Sequence, residues 1–93
     1  MALQILIPTP LRQFTDNHES VTVQGRSVGD ALNDLCTKYP SLKKHLYTDD
    51  GKLRSFVNVY CNDEDIRYLK KEATPVSERD VISIIPSIAG GVH

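Results

Sequence analysis

Three groups of residues in this 93-residue chain have types that could do chemistry: a glycine pair near the C-terminus, two cysteines and three histidines. Gly90 and Gly91 follow Ser87, Ile88 and Ala89, which follow the apolar run Asp80-Val81-Ile82-Ser83-Ile84-Ile85-Pro86. Proline cannot donate to a sheet ladder, so this run reads as a strand that stops at Pro86 and releases a tail of small residues. Glycine has no Cβ, so the backbone of such a tail can thread a narrow channel and present a carboxylate to an active site. A terminal Gly-Gly carries this meaning only when a compact domain projects it; alone it is an ordinary chain end. Cys36 and Cys61 have no neighbouring histidine or basic cluster to lower their pKa, so both read as small core or near-core residues, not nucleophiles. His18, His45 and His93 show no metal-ligand spacing and read as surface residues. Asn62-Asp63-Glu64-Asp65 reads as a solvated turn and not a metal site. With no nucleophile–base pair and no metal cluster in view, the chain offers no catalytic residue and no bound cofactor, and an enzyme is the least supported class.

Length and composition set the frame for that tail. Ninety-three residues make one domain with a modest core. A formal net charge of −1 gives no electrostatic reason to expect nucleic acid or an anionic membrane as partner. Apolar runs of only a few residues exclude a membrane-spanning helix, and Met1-Ala2-Leu3-Gln4 lacks the basic start of a signal peptide. Both cysteines are therefore expected to be reduced, and the chain to be cytoplasmic and monomeric when free.

The elements that must position the tail follow from periodicity. Leu3, Ile5 and Ile7 alternate with Ala2, Gln4 and Leu6, a strand with one buried face, stopped by Pro8-Thr9-Pro10. Leu11 to Glu19 reads as a loop, and Val21 and Val23 mark a second strand able to pair antiparallel with the first. Ser27 is a helix N-cap, with Asp30 in the capping-box position. Val28, Ala31, Leu32, Leu35 and Tyr39 then share one helical side, and Pro40 ends the helix. Ser41 can cap a short turn over Leu42 to Leu46, and Asp49-Asp50-Gly51 is a turn. Leu53 to Asn62 reads as a strand with Val57, Val59 and Cys61 on one face and Phe56, Asn58 and Tyr60 on the other. Ile66 to Leu69 reads as a short strand or edge, 70–79 as turns, and Ile82 and Ile84 as the buried face of the last strand. Two hairpins around one helix predict an α+β fold of the β-grasp, ubiquitin-like type, a mixed four- to five-stranded sheet with the first and last strands side by side. Its core is expected to be Leu3, Ile5, Ile7, Val21, Val23, Val28, Leu32, Leu35, Val57, Val59, Ile82 and Ile84. Residues 1–86 form the domain in this reading, and 87–93 a flexible tail.

The residues Phe56-Val57-Asn58-Val59-Tyr60-Cys61-Asn62-Asp63-Glu64-Asp65-Ile66-Arg67, the run Asp80 to Pro86, and Gly90-Gly91 together resemble the MoaD/ThiS family. The resemblance spans nearly the whole chain, including Ile7-Pro8-Thr9 and the helix opening at Ser27, and is closest to the CysO-like branch that feeds amino-acid biosynthesis. It implies a β-grasp sulfur carrier, not an enzyme. An E1-like partner would use ATP to adenylate the terminal glycine, and sulfur would replace AMP to give a thiocarboxylate that is passed to a sulfur-accepting biosynthetic enzyme. A pyridoxal-phosphate enzyme is one candidate acceptor, and cysteine or homocysteine/methionine the implied product class. Gly91 would be the modified residue, with Gly90 and Ala89 completing the tail.

One departure matters. Val92 and His93 follow the glycines, so Gly91 has no free carboxylate in the chain as written. The chain therefore reads as a precursor cut between Gly91 and Val92 by a JAMM-type metalloprotease; the alternatives are an artificial addition or a domain no longer used as a carrier. Phe56, Tyr60, Ile85 and Leu6 are expected on the sheet face away from the helix, a patch for a partner. Two rival readings share these features: a ubiquitin-like protein modifier, and a binding module that is never thiolated.

Overall fold

The computed structural model describes residues 2–55 and 57–86. Five strands, β1 (Ala2–Leu6), β2 (Ser20–Gln24), β3 (Val57–Cys61), β4 (Glu64–Asp65) and β5 (Val81–Pro86), form one sheet in the order β2-β1-β5-β3-β4. β1 and β5 are parallel, with Ile5 opposite Ile82, and the other neighbours are antiparallel. The main helix, α1 (Val28–Lys38), covers one face; a shorter one, α2 (Lys43–Leu46), follows it. This is the expected β-grasp arrangement, with the first and last strands adjacent. All twelve expected core residues are buried, and Leu11, Ala31, Cys36, Leu42, Leu46, Cys61, Ile66 and Val76 join them.

Local chemistry explains the helix. The Ser27 hydroxyl accepts from the Asp30 N–H at 3.1 Å, which satisfies one of the N–H groups that a first helical turn leaves without a partner. The return bond of a capping box is displaced by one residue, because the Asp30 carboxylate accepts from the Arg26 N–H at 3.4 Å. Val28, Ala31, Leu32 and Leu35 are fully buried against the sheet, and Tyr39 packs half-buried at the end.

Five expectations about local structure are corrected. Leu11 to Glu19 is not all loop: Thr9–Phe14 forms a 3-10 helix, with Leu11 buried against the core. Thr15 is buried too, its hydroxyl 3.0 Å from the His18 carbonyl. Ser41 caps nothing, since α2 is preceded by a 3-10 turn over Pro40–Leu42 and Leu42 stands at its cap position. The strand expected from Leu53 starts at Val57; Leu53 instead makes a single bridge with Tyr47, across the turn that Gly51 closes with φ 82°. Finally, Asn62 to Asp65 is more than a solvated turn. Asn62 and Asp63 take left-handed angles (φ 52° and 76°), as a two-residue hairpin requires. Glu64 and Asp65 form β4, Asp65 is buried, and Ile66–Tyr68 is a 3-10 turn and not a strand.

Asn62 also secures the start of β5. Its side-chain oxygen accepts from the Val81 N–H at 2.9 Å and its amide donates to Asp80 at 2.7 Å. The same Asp80 carboxylate accepts from the Ser77 N–H at 2.8 Å. The strand that leads to the tail is thus fixed before its first ladder bond.

Candidate functional site

Side chains of register partners share a face, so the pairing of strands settles the outer surface of the sheet. Ser83 pairs with Leu6 on one side and with Tyr60 on the other, and Ile85 pairs with Asn58. Leu6, Tyr60 and Ile85 therefore surround Ser83 on the face away from α1. Leu6 is 42% exposed and Ile85 49%, while Tyr60 is half-buried. The parallel strands β1 and β5 run the same way, so Leu6 and Ile85 both lie at the end where β5 finishes at Pro86. Farther down the same face Gln4 and Thr22 are polar and exposed. The apolar groups are concentrated beside the exit of the tail.

Ser83 was not legible as the centre of this patch, because only the register shows which residue stands between Leu6 and Tyr60. A polar flank was missed as well. Arg67 lies 2.7 Å from the Asp65 carboxylate and donates to Asn58 Oδ1 at 2.8 Å, which ties the β4 edge to the outer face of β3. The Arg67 side chain, and next its backbone N–H, hold the Asp65 carboxyl below the ordinary carboxylate range.

Phe56, the tail residues Ala89, Gly90 and Gly91, and the junction with Val92 lie outside the described residues, as does His93. Of the sites expected from the sequence, the structure thus places Leu6, Tyr60 and Ile85 together.

The cysteines are where a core role would put them. Burial pushes the Cys36 thiol up, and burial followed by the charges of Asp80 and Glu64 pushes Cys61 up, so neither favours the reactive thiolate. His45 corrects the surface reading: its ring stacks on Phe14 with centroids 4.2 Å apart, and its Nε2 is buried with no hydrogen-bond partner. His18 is exposed. Among the described residues no group of three or more His, Cys, Asp or Glu could hold a metal ion, and no helix is long and apolar enough to cross a membrane.

A mixed five-stranded sheet over one long helix defines a ubiquitin-like β-grasp protein. The chain belongs to the ThiS family, whose model matches residues 5–91. It is 38% identical to the sulfur carrier protein CysO of Mycobacterium tuberculosis over 93 residues, covering 98% of this chain and 100% of that one. Its fold superposes with a TM-score of 0.86 on a chain of the Amycolatopsis orientalis BexX/CysO complex, at 35% identity over 96% of this chain and 99% of that chain. Small archaeal modifier protein 3 of Haloferax volcanii is 35% identical over 65 residues, 70% of each chain.

Proposed function

We propose that this chain is a sulfur carrier whose reacting group is the carboxylate of Gly91, exposed when a JAMM-type metalloprotease removes Val92 and His93. The observation that carries the reading is the family match, which spans residues 5–91 and so takes in Gly90 and Gly91. Relatives named as sulfur carriers over nearly the whole chain support it.

A carboxylate is a poor acyl donor because oxide is a poor leaving group. In the site of an E1-like enzyme a Gly91 carboxylate oxygen attacks the α-phosphorus of ATP and pyrophosphate leaves, giving an acyl adenylate. Hydrosulfide then attacks the acyl carbon, the C–S bond forms as the C–O bond to AMP breaks, and loss of the S–H proton leaves the thiocarboxylate with no change of oxidation state. That group passes its sulfur to a biosynthetic enzyme. Sulfur amino-acid synthesis, of cysteine or homocysteine/methionine, is the route implied by the resemblance, with a pyridoxal-phosphate enzyme as acceptor. The domain's part is to dock through Leu6, Tyr60, Ile85 and Phe56 while the tail enters the channel. The relative seen in complex with BexX supports docking by this fold.

The full-length chain should be inert with a cognate E1-like enzyme and ATP, because β-branched Val92 blocks a channel that excludes side chains. The chain ending at Gly91 should support ATP–pyrophosphate exchange. With a sulfur donor, intact mass spectrometry should show a gain equal to the difference between sulfur and oxygen. If the shortened chain is never adenylated, the binding-module reading replaces this one; if the full-length chain reacts equally well, the precursor step is wrong. Similarity to an archaeal modifier protein favours one second reading, conjugation to a lysine through the same acyl adenylate. A mass ladder of lysine conjugates in cell extract, absent with Gly91→Ala, would mark it.

A further inference from the structure

A cleft of about 270 Å³ opens at the foot of the tail, lined by Pro86, Leu11, Val57, Lys44, His45 and Arg54, with Pro10 at its edge. Arg54 is fixed to α2 twice: its backbone N–H donates to the Leu46 carbonyl and its Nε to the Lys44 carbonyl, both at 2.9 Å. That holds the Arg54 guanidinium at the α2 backbone, and Lys44 lines the same cleft. Among the described residues neither Lys44 nor Arg54 has an acidic partner. His45, with its unpartnered Nε2, lines the same cleft. One anchored cation, Arg54, and one exposed cation, Lys44, thus line a cleft where β5 ends, in a chain whose net charge is −1. The cluster is a local feature and not the spill-over of a basic protein.

Resting on the carrier reading, we infer that this cleft receives an acidic side chain from the adenylating partner, next to the mouth of its channel. Reach supports the placement. Only residues 87–91 separate Pro86 from the reacting carboxylate, and five residues span at most about 18 Å. An enzyme that reacts at Gly91 must therefore bring its surface against the end of the sheet that carries the cleft. The nucleotide reacts at Gly91, five residues along the tail, and the partner surface that meets Pro86 would carry the anion for Lys44 and Arg54. Complementary charge at such a rim fixes register and speeds encounter. The apolar patch beside it supplies contact area.

The test uses the chain ending at Gly91, the E1-like enzyme of the same organism, and ATP–pyrophosphate exchange. Lys44→Glu with Arg54→Glu should raise KM for the carrier about tenfold or more while kcat changes less than about twofold. Exchange with the unaltered chain should weaken between about 50 and 500 mM salt more steeply than with the variant. Arg26→Glu with Lys38→Glu makes the same change in net charge away from the cleft and should leave KM nearly unchanged. Lys44→Glu alone, an exposed site, keeps the test valid if loss of the Arg54 bonds impairs folding, which circular dichroism would show. Equal KM and equal salt dependence in the cleft variants overturn the inference and leave the carrier reading intact. An equal rise in KM from the distant pair overturns it too, as a general charge effect. No exchange with the unaltered chain ending at Gly91 overturns both.

Discussion

Ile5 and Leu6 are neighbours on β1, and Ile84 and Ile85 are neighbours on β5, yet each pair is split between two environments. Ile5 and Ile84 are 0% and 2% exposed beneath α1, and Leu6 and Ile85 are 42% and 49% exposed on the other face. Residue type does not distinguish them; the pleat does. Fully burying such a side chain contributes about 1.5–3 kcal/mol, so the inner face holds the domain together. The outer pair forgoes much of that gain in the isolated chain. A partner that covered Leu6 and Ile85 would recover it, which would divide stability and recognition between alternate residues of the same strands.

The strongest way to break this division is to empty the inner face. Leu35 is fully buried on α1 against the sheet. Leu35→Ala should cost about 2–5 kcal/mol of stability, measured by urea unfolding. A loss below about 1 kcal/mol would mean that the site collapses freely and that packing on this face is loose.

The outer face should respond in the opposite sense. Ile85→Asp places a carboxylate on an exposed position, so stability should stay within about 0.5–1 kcal/mol of the parent. Binding to the adenylating enzyme should weaken about tenfold or more, because that charge would be desolvated in an apolar contact. Leu6→Asp should do the same. Titration of the folded variants decides the matter: unchanged affinity in both would place the contact on another surface.

The division between faces was readable from alternation, which is why the β-grasp arrangement and all twelve expected core residues follow from the sequence. What alternation cannot supply is register. Ser83 sits between Leu6 and Tyr60 only because β5 pairs with both β1 and β3 at that residue. Nor does it describe segments whose structure is made by tertiary contacts. Leu11 and Phe14 are the apolar residues of an otherwise polar stretch, and a 3-10 turn drives Leu11 into the core. His45 reads as surface by its type, and the Phe14 ring beside it comes from a different segment. Asp65 belongs to an acidic run in sequence, and its burial depends on the Arg67 ion pair.

Between the two faces in size of effect lies the polar link at the start of β5. Asn62, and next the Ser77 N–H, hold the Asp80 carboxyl below its ordinary value. A carboxylate with a lowered native pKa stabilises the fold above its unfolded pKa of about 3.9, and that contribution is lost as pH falls through the native value. Asp80→Ala should therefore cost about 1–2 kcal/mol near neutral pH. The gap between variant and parent should narrow below about pH 4, as both folded and unfolded Asp80 become protonated. A gap that stays constant between neutral and acidic pH, in paired urea titrations, would assign the loss to the removed side chain's packing and not to its charge.

The smallest expected effect divides α1 as the pleat divides the strands. On its polar side Lys38 Nζ lies 3.0 Å from Asp34, with the two side chains 44% and 27% exposed. Solvent screens such a pair, so Lys38→Ala should cost no more than about 0.5 kcal/mol and less in high salt. Asp34 has a second task that Lys38 lacks: it accepts from the Gln24 N–H at 2.9 Å and so links the helix to the edge strand β2. That bond is also the first cause of its lowered pKa, ahead of Lys38. Asp34→Ala should accordingly be the worse of the two, by about 0.5–1 kcal/mol. Adding Lys38→Ala to Asp34→Ala should cost almost nothing more, since the pair is already gone. If instead Lys38→Ala were as harmful as Asp34→Ala, the ion pair and not the strand link would fix α1 to the sheet edge, and the polar side of the helix would share in holding the fold together.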